Sequence, residues 1–227
     1  MKRNRKTFLK FLLKKYGGLY SEELGIKLSK GDEREIFKWF LASILFGARI
    51  SETCAKNTYK VFVKYKLLTP ERIIKRGFWG LIPLMREGGY TRYDGKTSNK
   101  LLLVMRDLIE RYDGKITKVH EAARDKRDLE KRIMSLGKGI GPVTCNIFLR
   151  ELRGIWKKAD PEPCELVKLA MRNFGIKDLK KFWKRNRIRG FSFRNLECAL
   201  LRVGKDFCRR KRCCVCDFSP ICKARYQ

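Results

Sequence analysis

The chain has 227 residues, 44% of them hydrophobic, which is enough to bury a core and excludes a disordered polycation. Against 24 Asp and Glu it carries 55 Lys and Arg, a formal charge of +31 that attracts polyanions through long-range fields and counterion release. No apolar run approaches the ~20 residues of a membrane span, and the basic stretch 1–16 lacks the apolar segment and cleavage site of a secretion signal.

Read in chain order, apolar residues recur at helical spacing and no alternating strand pattern competes. Phe8, Leu9, Phe11, Leu12 and Leu13 mark one face of a helix over 6–16, ended by Gly17 and Gly18. Asp32 and Glu35 form a capping-box pattern that opens a second helix running through Phe46. Ser51 opens a third, to about residue 65. Thr69 followed by Pro70 is a further start, with a capping hydroxyl and proline at the first helical position. Helices are also predicted over 97–112, 121–136, 143–152, 162–174 and 191–207, with glycine breaks at Gly88, Gly89, Gly95 and 137–141. The fold class is therefore predicted to be all-α, with about ten helices and no internal repeat.

Three features point to chemistry. The first is the segment Leu136, Gly137, Lys138, Gly139, Ile140, Gly141, Pro142, Val143, Thr144, lying between two helical stretches. Gly139 and Gly141 can take backbone angles closed to other residues, and Pro142 suits the first position of the following helix. The N–H groups at such a helix start make a phosphate site that needs no side chain and is blind to base sequence. The second feature is Asp160, followed by Pro161. It reads as a helix N-cap, and an ionised carboxylate there could also stabilise the cationic sugar formed when a glycosidic bond breaks.

The third is the terminal cysteines. Of nine in the chain, Cys54, Cys145, Cys164 and Cys198 are scattered, and five fall between Cys208 and Cys222. An odd number clustered at one end favours metal ligands over a disulfide framework. Cys208, Cys213, Cys216 and Cys222 have the spacing of a [4Fe–4S] site, with tetrahedral zinc as the alternative. Cys214 could exchange with Cys213 as a ligand. Arg209, Arg210, Lys211 and Arg212 make the same loop strongly cationic.

Taken together, hairpin, aspartate and cysteine loop resemble the endonuclease III branch of the helix-hairpin-helix DNA glycosylase superfamily, over roughly 32–222. The resemblance implies two helical subdomains with a cleft between them. A six-helix subdomain with the hairpin would cover 31–152, and residues 1–30 and 153–227 would form the cluster-bearing subdomain, with its iron–sulfur loop at 208–222. It implies that Asp160 is catalytic, that Gly139, Ile140, Gly141, Val143 and Thr144 meet DNA, and that the partner is duplex DNA with a damaged or mismatched base.

Bifunctional members carry a lysine two residues after the second hairpin glycine, whose amine attacks the sugar. Here that position is Val143, which cannot form a Schiff base, so a monofunctional hydrolase is implied. Lys138, the nearest substitute amine, sits on the wrong side of the hairpin glycines. The first cysteine gap is also shorter than the family's. Family members flip the base out and fill the gap with a loop side chain. Arg49 falls where that residue usually stands, and the loop 88–95 offers Tyr90, Arg92 and Tyr93 for a second contact. Sparse amides (a single Gln, Gln227) with many charges suggest a thermophilic source. A monomer located intracellularly, in cytoplasm or nucleoid, is expected, with no membrane partner. Thymine or uracil opposite guanine is the favoured substrate. Alkylbase excision, a lyase route and a non-catalytic lesion-binding module are the alternatives.

Overall fold

A computed structural model describes the backbone of residues 2–226 and the side chains of residues 6–224. The helices are α1 (Lys2–Tyr16), α2 (Tyr20–Glu23), α3 (Glu33–Phe46), α4 (Glu52–Lys64), α5 (Pro70–Glu87) and α6 (Asp94–Tyr112). They continue as α7 (Ile116–Ala122), α8 (Lys126–Met134), α9 (Pro142–Glu151), α10 (Glu165–Asn173), α11 (Leu179–Arg185) and α12 (Phe193–Val203). Among the described residues there is no strand, only an isolated backbone bridge between Arg153 and Trp156. No helix among them is long and apolar enough to cross a membrane. The fold is all-α.

The chain divides into two compact units, one of residues 24–161 and one joining 1–23 to 162–227. The larger is built around α3, whose Ile36, Trp39, Phe40, Leu41, Ile44 and Leu45 are fully buried. The Trp39 indole N–H donates to the Phe148 carbonyl at 3.0 Å, and Phe40 meets the Phe148 ring edge-on, so α3 fixes α9 directly. Three caps follow the sequence reading. Asp32 accepts from the N–H groups of Arg34 and Glu35, Ser51 from Cys54, and Thr69 from Arg72. Glu35 departs from it: its carboxylate accepts from the Lys27 N–H at 2.7 Å and from Lys38 instead of closing a box with Asp32. The stretch 121–136 is also not one helix. Asp125 accepts from the N–H groups of Arg127 and Asp128 and starts α8 after a break at Ala123.

The end of the larger unit is tied down through the chain's single histidine. Trp156 stacks on His120 with centroids 4.7 Å apart and packs edge-on against Phe148. The Lys158 ammonium donates to the His120 carbonyl at 2.8 Å. Burial, and then the Lys158 charge, lower the His120 pKa, against a smaller opposing pull from Glu121. The unfolded chain then binds a proton that folded His120 resists. Stability should be full above about pH 6.5 and decline as pH falls through that value. A thermal melt followed across this range should show the decline, and His120→Gln should flatten it.

In the smaller unit Phe218 is 1% exposed at the centre of an aromatic cluster, with the rings of Phe8, Phe11, Tyr16 and Phe174 all within 5.8 Å of its own. Asp217 accepts from the Lys15 ammonium and the Tyr16 hydroxyl, each at 2.8 Å. These two residues moor the cysteine loop to α1.

Candidate functional site

The hairpin joins α8 to α9, and its shape is set from underneath by α6. The chain turns through Gly137 at φ 69° and Gly139 at φ 108°. The Gly137 N–H donates to Asp107 at 2.9 Å, and a Cβ on Gly137 would stand 2.8 Å from the Val104 backbone nitrogen. A Cβ on Gly139 would come within 3.0 Å of the Lys100 side chain. Lys100, Val104 and Asp107 thus form one stripe of α6 at i, i+4 and i+7 under the turn. That spacing was the available signal for residues the sequence reading did not single out. Lys100 is half-buried, and burial lowers its pKa, with Lys96 adding to the effect.

Gly141 corrects an expectation. Its φ of −104° and ψ of 179° are open to any residue, and a Cβ there would meet nothing within 4 Å. The turn therefore needs Gly137 and Gly139, whereas Gly141 leaves open space beside the start of α9. Pro142 opens that helix and no side chain caps it, so the first-turn N–H groups of Val143 and Thr144 lack a side-chain cap. Val143 is 64% exposed, whereas Ile140 and Thr144 are buried. For Ile140 and Thr144 only the backbone can face a ligand, because their side chains belong to the core. Gly137→Ala should cost roughly 1–3 kcal/mol through its positive φ and the Val104 clash, and Gly141→Ala about 0.5 or less. Thermal unfolding of the two variants checks this difference.

The loop before α4 comes to the same place. A Cβ on Gly47 would fall 2.0 Å from the Thr144 hydroxyl, so the loop rests on the first turn of α9 and Arg49 is exposed on it. The assignment of Tyr90 is overturned. It has no exposed surface, its hydroxyl donates to the Leu45 carbonyl at 3.4 Å and accepts from Thr97, and burial pushes its phenol up to about 12. The ring is core and cannot stack on a base. Arg92 is exposed, with its guanidinium 5.4 Å from the Tyr93 ring, so that ring is the one left near the surface of this loop.

Asp160 lies at the end of the larger unit and caps no helix. Residues 161–164 are irregular, and α10 begins at Glu165 with Cys164 as its N-cap. The carboxylate instead receives a hydrogen bond from the Arg153 guanidinium, which also donates to the Pro161 carbonyl. Arg153 is itself buried, with 6% of its side chain exposed against 33% for Asp160. On the outer side the Lys126 ammonium is 3.9 Å from Asp160. Lys126 is the first residue of α8, and the hairpin follows that helix's other end, so about 13 Å of helix separates the two. Arg153 and Lys126 were not foreseen, since nothing local in sequence marks a partner seven or thirty-four residues away.

The terminal cysteines fall on different local structures. Cys208 ends a π-helical turn that continues α12, Cys213 starts a short 3-10 turn, and Cys216 and Cys222 each follow one. Burial raises the Cys208 thiol's pKa, an Asn173 hydrogen bond opposes it, and Cys216, Cys222 and Cys213 raise it further. Cys216 is raised likewise by burial, with Cys222 and Cys213 among its charged neighbours. Cys213, Cys216 and Cys222 thus lie within electrostatic reach of Cys208. Their chemistry fits a thiolate-bound metal group, which would relieve that mutual repulsion. Their spacing does not close on an ion: among the described residues no three His, Cys, Asp or Glu side chains form a metal-holding group. No protein-family model matches the chain, and no curated protein matches it.

Proposed function

We propose that the protein is a DNA glycosylase that hydrolyses the N-glycosidic bond of a flipped-out base and leaves an abasic site. The observation that carries this reading is the pairing, within one unit, of a hairpin with an uncapped helix start and a carboxylate held by a buried arginine. Duplex phosphates would sit against the N–H groups of Val143 and Thr144, with the open space at Gly141 admitting the backbone and Arg49 entering the duplex beside them. Asp160 would stabilise the positive charge that develops on the sugar as the base departs with the bonding electron pair. Water then adds to C1′ and releases a proton. Arg153, itself fixed by the Pro161 carbonyl, holds the carboxylate in place through this step. Thymine or uracil opposite guanine is the proposed substrate.

Cys208, Cys213, Cys216 and Cys222 would hold the [4Fe–4S] cluster, or zinc in the alternative, which would supply a rigid cationic DNA-contacting loop and no redox step. In this reading the Arg209–Arg212 run meets phosphates. A duplex carrying G·T or G·U should be nicked only after alkali treatment. Gly141→Ala should fold normally yet bind duplex less tightly, because its methyl group fills the space the DNA backbone would take.

One observation favours a second reading. The Lys126 side chain ends 3.9 Å from Asp160, which places an amine beside the proposed reaction centre to attack an abasic aldehyde. Condensation would release water, and elimination of the 3′ phosphate would then break the strand. Borohydride trapping separates the two readings: a covalent protein–DNA adduct lost in Lys126→Ala supports the lyase, and no adduct supports the hydrolase.

A further inference from the structure

The helix α5 is broken at Gly77, whose φ of 69° and ψ of 171° no other residue adopts cheaply. A Cβ there would meet nothing, so the glycine serves the backbone conformation and not a tight contact. Beyond the break stand Phe78 and Trp79. Phe78 is half-buried, seated where a Cβ on Gly95 would lie 3.6 Å from its ring tip. Trp79 meets Phe78 edge-on at 5.1 Å and is 83% exposed, unlike Trp39, Trp156 and Trp183, which are buried. Exposure alone says little, since single apolar side chains are common on surfaces. What distinguishes Trp79 is the built platform beneath it and the charge beside it.

That charge comes from the turn before the break. The Arg76 side chain folds back so that its Nε donates to the Gly80 carbonyl at 3.1 Å, next to Trp79. Its guanidinium also lies 5.8 Å from the ring of Tyr65, which is 41% exposed. Tyr65, Lys66, Leu67, Arg72, Lys75 and Arg76 line a shallow hollow of about 380 Å³, which Arg76 links to the Trp79 turn. Among the described residues none of these four cations pairs with a carboxylate, and Arg72 and Arg76 donate to the backbone carbonyls of Lys66 and Gly80. Exposed aromatic faces flanked by cations that no carboxylate neutralises match a strand of nucleic acid whose bases are unstacked, with rings taking bases and cations taking phosphates. An anionic membrane fits less well, because membrane docking uses an apolar face several residues wide and this one is a ring set among charges.

We propose that the Trp79 face, with Arg76 and Tyr65, is a second nucleic-acid site that stacks an unpaired base of a single strand. It shares the nucleic-acid partner with the reading above but does not depend on Asp160 or on base excision. The test uses the full-length protein and a short oligodeoxythymidine, reading tryptophan emission and its quenching by iodide. Trp79 supplies the iodide-accessible fraction, since the other tryptophans are buried. Binding should shield that fraction, and Trp79→Ala should weaken binding about tenfold while the melting temperature stays unchanged. Arg76→Ala should weaken binding and flatten its salt dependence. Gly141→Ala should leave strand binding intact even where it impairs duplex binding, which separates failure of this proposal from failure of the hairpin reading. Strand binding that leaves Trp79 open to iodide, or unchanged affinity in Trp79→Ala, would overturn the proposal. Shielding by anionic lipid vesicles and not by the strand would overturn it in favour of a membrane site.

Discussion

Asp160→Asn is expected to slow base release by about 100- to 1000-fold in single-turnover assays, while duplex affinity is unchanged. The size follows from what is lost. An amide keeps an oxygen for the Arg153 guanidinium, so the local geometry survives, but it carries no charge to oppose a developing sugar cation. Stability should fall by about 1–2 kcal/mol, because the buried Arg153 loses one charged partner on a side only one-third exposed. Asp160→Glu makes a useful companion. It retains the charge but displaces it by one methylene, and should recover stability before it recovers rate. A variant protein that binds duplex and releases base at the wild-type rate would remove Asp160 from the chemistry and leave it as an anchor for Arg153.

The largest expected loss of stability is at Trp39. Trp39→Ala should cost about 3–5 kcal/mol, since the side chain has no exposed surface and its indole nitrogen holds the Phe148 carbonyl. For a chain of this size that corresponds to a drop of roughly 8–15 °C in melting temperature. Because α9 begins at the hairpin, the damage should reach the duplex binding proposed for that turn as well as folding. Trp39→Phe keeps most of the buried ring and loses the hydrogen bond, so it should lie well above the alanine variant. Calorimetry on the two variants separates packing from hydrogen bonding at this point.

The parts of the fold legible in sequence were those fixed locally. Asp32, Ser51 and Thr69 cap their own helices through backbone groups two or three residues away, and the apolar periodicity of α3 declares a buried face. The hairpin was legible as a turn, though its working glycines are Gly137 and Gly139, because the demand for positive φ comes from how the chain crosses α6. Tyr90 was misplaced for a related reason. A tyrosine in a glycine-rich loop looks available, and only the three-dimensional path shows its hydroxyl reaching Leu45. Asp160 was singled out by its place after the hairpin, but its grip by Arg153 and its approach to Lys126 depend on how α8 and the end of the larger unit meet. Trp79 had no motif to mark it, since exposure is a property of the folded surface.

Free base released from a panel of labelled duplexes is the most direct test. The panel should contain G·T, G·U, alkylated, oxidised and undamaged pairs, with each reaction split and run with and without alkali. The expected result is release from one or two of the damaged or mismatched substrates, strand breaks appearing only after alkali, and release about 100- to 1000-fold slower with Asp160→Asn. Tight duplex binding with no base released from any member would contradict the glycosylase reading and leave a DNA-binding protein without this chemistry.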